Sequence, residues 1–134
     1  MIKAISFRTN SINTPMYIGA TVADVDDAVD NNREFKKLLW SGKHMQIYAM
    51  SIPRGEETGI ETHTDNDQYI KIESGRAKIL LGGANNEFNY ERIIDEDSSV
   101  MIPSNTPHNI INAGNEPLKL LTIYAPILVQ KSGQ

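Results

Sequence analysis

Eight short runs of β-favouring residues follow one another between residues 34 and 125: EFKKLLW, HMQIYAMSI, QYIKIES, RAKILLG, EFNYERII, SSVMIP, NIINAG and LKLLTIYA. Each is closed by Gly, Pro, Asn, Asp or Ser, the residues that let a chain turn. Strands this short and this closely spaced bury their apolar faces against one another, which predicts an all-β sandwich or barrel. One segment has two readings. ADVDDAVDNNREFKKLL fits a short helix, but its Asn-Asn pair and the SGK turn that follows fit a loop leading into an edge strand equally well.

With 134 residues, 40% of them hydrophobic, and no repeat or linker, the chain reads as a single domain over 1–134. The net charge of -4 is spread along the chain, and no lysine or arginine run is available to neutralise a phosphate backbone. Nucleic acid is therefore not an expected partner. The amino-terminal MIKAISFRTN lacks a signal-peptide core, and nowhere do about 18 apolar residues run together, so a cytoplasmic protein with no membrane partner is expected. There is no cysteine, and any metal would have to be held by nitrogen and oxygen.

Alternation within the strands raises a chemical question. In QYIKIES, Gln68 shares a face with Ile70 and Ile72, and Tyr69, Lys71 and Glu73 share the other. Just before it, Glu61 and His63 stand two residues apart and also share a face. A carboxylate, an imidazole and an amide are thus aimed at an apolar interior, where a carboxylate without compensation costs several kcal/mol. The later segment PSNTPHNIIN can supply a further imidazole, His108, at the start of another apolar strand. Asp65 and Asp67 read as solvated loop residues and His44 as a surface residue.

These residues carry a resemblance to the cupins, small double-stranded β-helix (jelly-roll) barrels with a metal in the barrel mouth. The first cupin motif, Gly, five residues, His-x-His, three or four residues, Glu, six residues, Gly, is matched in spacing by Gly55, Glu61, His63, Gln68 and Gly75. The second motif, Gly, five residues, Pro-x-Gly, two residues, His, three residues, Asn, is matched by Asp97, Pro103, Asn105, His108 and Asn112. With the strand pattern, the resemblance covers roughly residues 35–125 as the barrel core. It implies a metal set of Glu61, His63, Gln68 and His108. Glu61 takes the place of the usual first His and Gln68 that of the usual Glu, so the formal charge of the set is kept. Asp97 and Asn105 replace glycines, and both types tolerate the turn conformations needed there.

Other roles remain open for each residue: Glu61 as a general base or salt-bridge partner, Gln68 as a hydrogen-bonding residue, the histidines as structural groups. Two His and one carboxylate are similar to the facial triad of non-haem iron oxygenases, which favours Fe, Mn, Ni or Zn as the divalent transition metal. The resemblance also suggests that Gln46, Tyr48, Met50 and Ile52 face the interior; Leu118, Leu120, Thr122 and Tyr124 are likewise expected inward, with Lys119 outside. Tyr48 and Tyr124 then either pack as core or donate hydrogen bonds to a substrate, and with Glu61 they form the candidate catalytic group.

The expected function is a metal-binding enzyme acting on a small oxygenated substrate, a sugar derivative, keto acid or enol, by isomerase or lyase chemistry with Glu61 or a bound hydroxide moving the proton. An Fe-dependent dioxygenase, a non-catalytic ligand-binding barrel and a metal-free structural protein are the alternatives. A homodimer is expected, with MIKAISF adding a strand to a neighbour's sheet edge, and the tail LVQKSGQ is expected to fray.

Overall fold

A computed structural model describes residues 16–83, 85 and 87–127. The segments MIKAISF and LVQKSGQ lie outside the described residues. The eight expected strands form with small differences at their ends: β1 Lys36–Ser41, β2 Gln46–Ile52, β3 Asp67–Ser74, β4 Ala77–Gly82, β5 Phe88–Ile94, β6 Ser99–Ile102, β7 His108–Asn112 and β8 Leu118–Ala125. They pair antiparallel in two sheets, ordered β1-β2-β8-β3-β6 and β5-β4-β7.

The ambiguous segment contains both of its readings in succession. A helix, α1, spans Val25–Asn31, and the strand β1 follows it. Asp24 caps the helix, its side chain accepting from the Asp27 N–H at 3.0 Å, and Asp26 and Asp27 place negative charge in the first turn. Asn32 then turns extended and ends it. The helix lays Ala28 and Val29 on Leu39 and Ala49, forming a small second core on the outer face of the larger sheet. No helix among the described residues is long and apolar enough to cross a membrane.

The main core lies between the sheets, where Ile70, Ile72, Leu118 and Leu120 meet Ile79 and Ile110. The strand alternation predicts these inward faces correctly: along β8, Leu118, Leu120, Thr122 and Tyr124 are buried, and along β3, Gln68, Ile70 and Ile72 are. Register then grades the interior from one end to the other. Leu118 lies opposite Ile52 and Leu120 opposite both Met50 and Ile72, whereas Tyr124 lies opposite both Gln46 and Gln68. One end of the barrel is therefore aliphatic and the other gathers Gln46, Tyr48, Gln68, Thr122 and Tyr124. On β7 the same alternation puts His108 at one end of the inward row, Ile110 in the core and Asn112 at the other end.

The two turn substitutions behave as their chemistry allows. Asp97 and Asn105 both adopt left-handed backbone, with φ of 69° and 65°.

Candidate metal centre

The two motif segments are tied to each other by backbone before any side chain is considered. Glu61 and His108 exchange N–H to carbonyl bonds at 2.9 Å in both directions, and the Asn105 N–H donates to the His63 carbonyl at 2.7 Å. Glu61 thus sits in an isolated bridge rather than a full strand. The left-handed turn at Asn105 is what lets the chain fold back so that its N–H reaches His63.

These ties bring the side chains of Glu61, His63 and His108 together, with one ligand atom from each lying within 4.8 Å of the others. His108 Nε2 and Glu61 Oε1 are 3.9 Å apart, inside the limit of about 4.4 Å set by two ligand bonds of about 2.2 Å to one ion. The imidazole rings of His63 and His108 have centroids 5.4 Å apart, and Tyr124 stands edge-on to His63 at 5.3 Å.

Hydrogen bonding decides which atoms are left over. His108 Nδ1 lies 2.8 Å from the Thr106 carbonyl oxygen. A carbonyl can only accept, so Nδ1 carries the proton and, in the neutral ring, Nε2 carries a lone pair. Gln68 is held similarly: its Nε2 donates to Thr122 Oγ1 at 2.9 Å and to the Tyr124 hydroxyl at 3.3 Å, which leaves its carbonyl oxygen pointing free. Gln68 Oε1, His63 Nε2 and His108 Nε2 are all buried with no hydrogen-bond partner among the described residues. His63 and His108 lie within the cluster and Gln68 at the same end of the barrel, and buried polar atoms left unpartnered are costly unless a ligand binds them. They fit a divalent metal, and Glu61, whose side chain is 36% exposed, can complete the set with a carboxylate.

Burial pushes the His63 pKa below its ordinary value, aided by the neighbouring His108 and Lys36 and opposed by Glu61. The imidazole is therefore neutral near neutral pH, with its lone pair available. Burial, reinforced by Glu61, pushes the Tyr124 hydroxyl up, so it stays protonated.

All four expected metal-binding residues are therefore brought to one end of the barrel, and so are Tyr48 and Tyr124. Tyr48 stacks edge-on to Tyr124 at 5.6 Å, its hydroxyl 3.5 Å from Gln46 Oε1. Tyr124 is fully buried, and its oxygen accepts from Gln68 and from Lys36 Nζ at 3.0 Å. Gln68 bonds side chains rather than backbone. Asp65 and Asp67 are exposed, Asp67 accepting from the Ser104 N–H at 3.0 Å, and His44 is exposed as well. Thr122 and Lys36 escape the sequence reading. Thr122 reads there as one more inward β residue. The available signal for Lys36 is parity, since Lys36 and Leu38 alternate with Lys37 and Leu39.

A double-stranded β-helix barrel with imidazole, carboxylate and amide groups at one end defines a class of small jelly-roll barrels, here with a cluster that could hold a metal. A family model described as "Cupin domain" matches residues 48–124, and the chain belongs to the cupin family. It is 42% identical over 105 residues to an uncharacterized protein of Bacillus subtilis, YrkC, covering 78% of this chain and 56% of that one. It is 31% identical over 120 residues to the Salmonella typhimurium mannose-1-phosphate guanylyltransferase RfbM, covering 77% of this chain and 24% of the enzyme. A crystal structure of a Bacillus halodurans protein superposes with a TM-score of 0.79 at 38% identity, covering 81% of this chain and 83% of that one. The chain thus spans only part of the length of the curated relatives it matches.

The position of Gln68 yields a test. Gln68→Glu puts a second negative charge where the free amide oxygen lies, and the Thr122 and Tyr124 hydroxyls can turn to donate to it. Metal affinity is expected to rise about 5- to 30-fold, about 1–2 kcal/mol, after the cost of a second carboxylate near Glu61. Calorimetric titration of both proteins checks this, and unchanged or weaker binding in the Glu variant removes Gln68 from the ligand set.

Proposed function

We propose that this cupin is a metal-dependent enzyme that moves a proton on a small oxygenated substrate, by isomerase or lyase chemistry on a sugar derivative, keto acid or enol. The observation that carries this reading is the set of three buried acceptor atoms, Gln68 Oε1, His63 Nε2 and His108 Nε2, left unpartnered beside the carboxylate of Glu61.

Glu61, His63, Gln68 and His108 would hold a divalent transition metal, Fe, Mn, Ni or Zn. Such an ion supplies Lewis-acid stabilisation of negative charge on substrate oxygens. The chain's own residues do the rest. His108 is locked in one tautomer by the Thr106 carbonyl, and Gln68 is locked in one orientation by Thr122 and Tyr124. The Glu61 side chain is 36% exposed, which suits it to take a proton from a carbon next to a carbonyl and return it to the neighbouring carbon, the hydroxyl proton exchanging through solvent. Tyr48, at the polar end, can donate a hydrogen bond to a substrate hydroxyl. A sugar-derived substrate is in keeping with the likeness to the mannose-1-phosphate guanylyltransferase, which extends over 24% of that enzyme.

The test is solvent-proton exchange in D2O. Protein loaded in turn with Mn2+, Fe2+, Ni2+ and Zn2+ is given a panel of α-hydroxy carbonyl compounds under nitrogen. Deuterium is expected at the carbon beside the carbonyl with at least one compound, and loss of that exchange is expected in Glu61→Gln at metal concentrations that saturate its weakened site. Exchange with no compound and no metal contradicts the proposal, and oxygen consumption by the iron form in air with an enediol moves the reading to a dioxygenase.

A further inference from the structure

Lys36 is a charged site neighbour that the proposed chemistry leaves unused. It leaves edge strand β1 on the inward face, opposite Met50, and its Nζ donates to the Tyr124 hydroxyl at 3.0 Å. The same ammonium lies 4.8 Å from the ring centroids of both Tyr48 and Tyr124. Two aromatic faces and a phenolic oxygen fix the position of this charge without neutralising it. No carboxylate among the described residues pairs with Lys36, although Lys37, Lys71 and Lys78 each have an acidic partner. Tyr124, to which Lys36 is hydrogen-bonded, stands edge-on to His63 at 5.3 Å, which sets the charge beside the cluster.

Taken alone, this placement opposes metal binding, because a fixed cation beside a divalent cation raises the energy of both. The arrangement becomes favourable when an anion lies between them. We infer that Lys36 is a specificity-determining residue that receives a second anionic group, a carboxylate or a phosphate, of a substrate whose vicinal oxygens sit at the metal centre. The substrate class is thus an anionic hydroxy or oxo compound with its second charge set apart from the chelating oxygens. This inference rests on the metal-centred reading above and adds to it the charge of the substrate.

Three probes separate the parts. Lactate carries the chelating 2-hydroxycarboxylate alone, malate adds a carboxylate, and 3-phosphoglycerate adds a phosphate. Each is titrated calorimetrically into wild type and Lys36→Met, both loaded with one equivalent of Ni2+. Methionine keeps an unbranched stem between the two tyrosine rings and removes the charge. In the wild type, malate or 3-phosphoglycerate is expected to bind at least tenfold more tightly than lactate, and whichever does so identifies the anion as carboxylate or phosphate. Lys36→Met is expected to abolish that advantage, leave lactate within threefold of its wild-type affinity, and bind Ni2+ at least as well as wild type. Equal binding of the three probes by the wild type, survival of the advantage in Lys36→Met, or an equal loss for all three probes in the variant each overturns the assignment of Lys36 while leaving the metal centre standing. A wild-type protein that takes up no Ni2+ overturns the metal-centred reading, and this inference with it.

Discussion

Metal affinity is expected to fall at least a hundredfold, about 3 kcal/mol or more, in His108→Ala and in His63→Ala made separately. Each change deletes one of the unpartnered buried nitrogens that converge with Glu61. The two variants should part company in stability. His108 is 1% exposed and its Nδ1 satisfies the Thr106 carbonyl, so its truncation opens a cavity and removes the partner of a part-buried acceptor. Its cost to the metal-free fold is expected to be about 2–3 kcal/mol. His63 is only half-buried and should cost the metal-free fold about 1 kcal/mol or less. Urea unfolding in chelator, paired with metal titration, reads both effects. Full retention of metal by both variants would remove the site.

The second large effect is expected at the opposite end of the barrel, away from the candidate metal centre. Asn112 is buried, and its amide donates to the carbonyls of Ile52 and Glu116 at 2.9 and 2.8 Å while its oxygen accepts from the Gly114 N–H at 2.9 Å. One side chain therefore closes the β7–β8 turn and ties it to the end of β2. Asn112→Ala removes all three of these bonds, and a loss of about 2–4 kcal/mol is expected from urea unfolding. Metal affinity should stay within threefold of wild type, since Ile110 and the aliphatic core separate Asn112 from His108. A loss below about 1 kcal/mol would mean that water replaces all three bonds and that Asn112 is not a structural tie.

Much of this architecture is legible in the sequence because strand alternation is a local property. The inward placement of Gln68, Thr122 and Tyr124 follows from their step of two with Ile70, Ile72, Leu118 and Leu120. The spacing of Glu61, His63 and His108 identifies the cluster because the turns between them form, with Asp97 and Asn105 adopting left-handed backbone where the motif has glycine. What escapes the sequence depends on long-range partners. The Gln68 amide is oriented by Thr122 and Tyr124, more than fifty positions away. The ammonium of Lys36 finds its hydroxyl on Tyr124, at the far end of the chain. The helix Val25–Asn31 has weak local signals, and its stability comes from packing Ala28 and Val29 on Leu39 and Ala49.

The central claim is that two imidazoles, a carboxylate and an amide oxygen form one metal centre at the polar end of the barrel. X-ray absorption at the metal edge of wild-type protein loaded with one equivalent of Ni2+ tests it most directly. One ion per chain is expected, with two imidazole nitrogens among its nearest neighbours and oxygen ligands for the remainder, and one imidazole fewer in any metal still held by His63→Ala. A protein that binds no ion, or an ion whose nearest shell contains no imidazole, would contradict it.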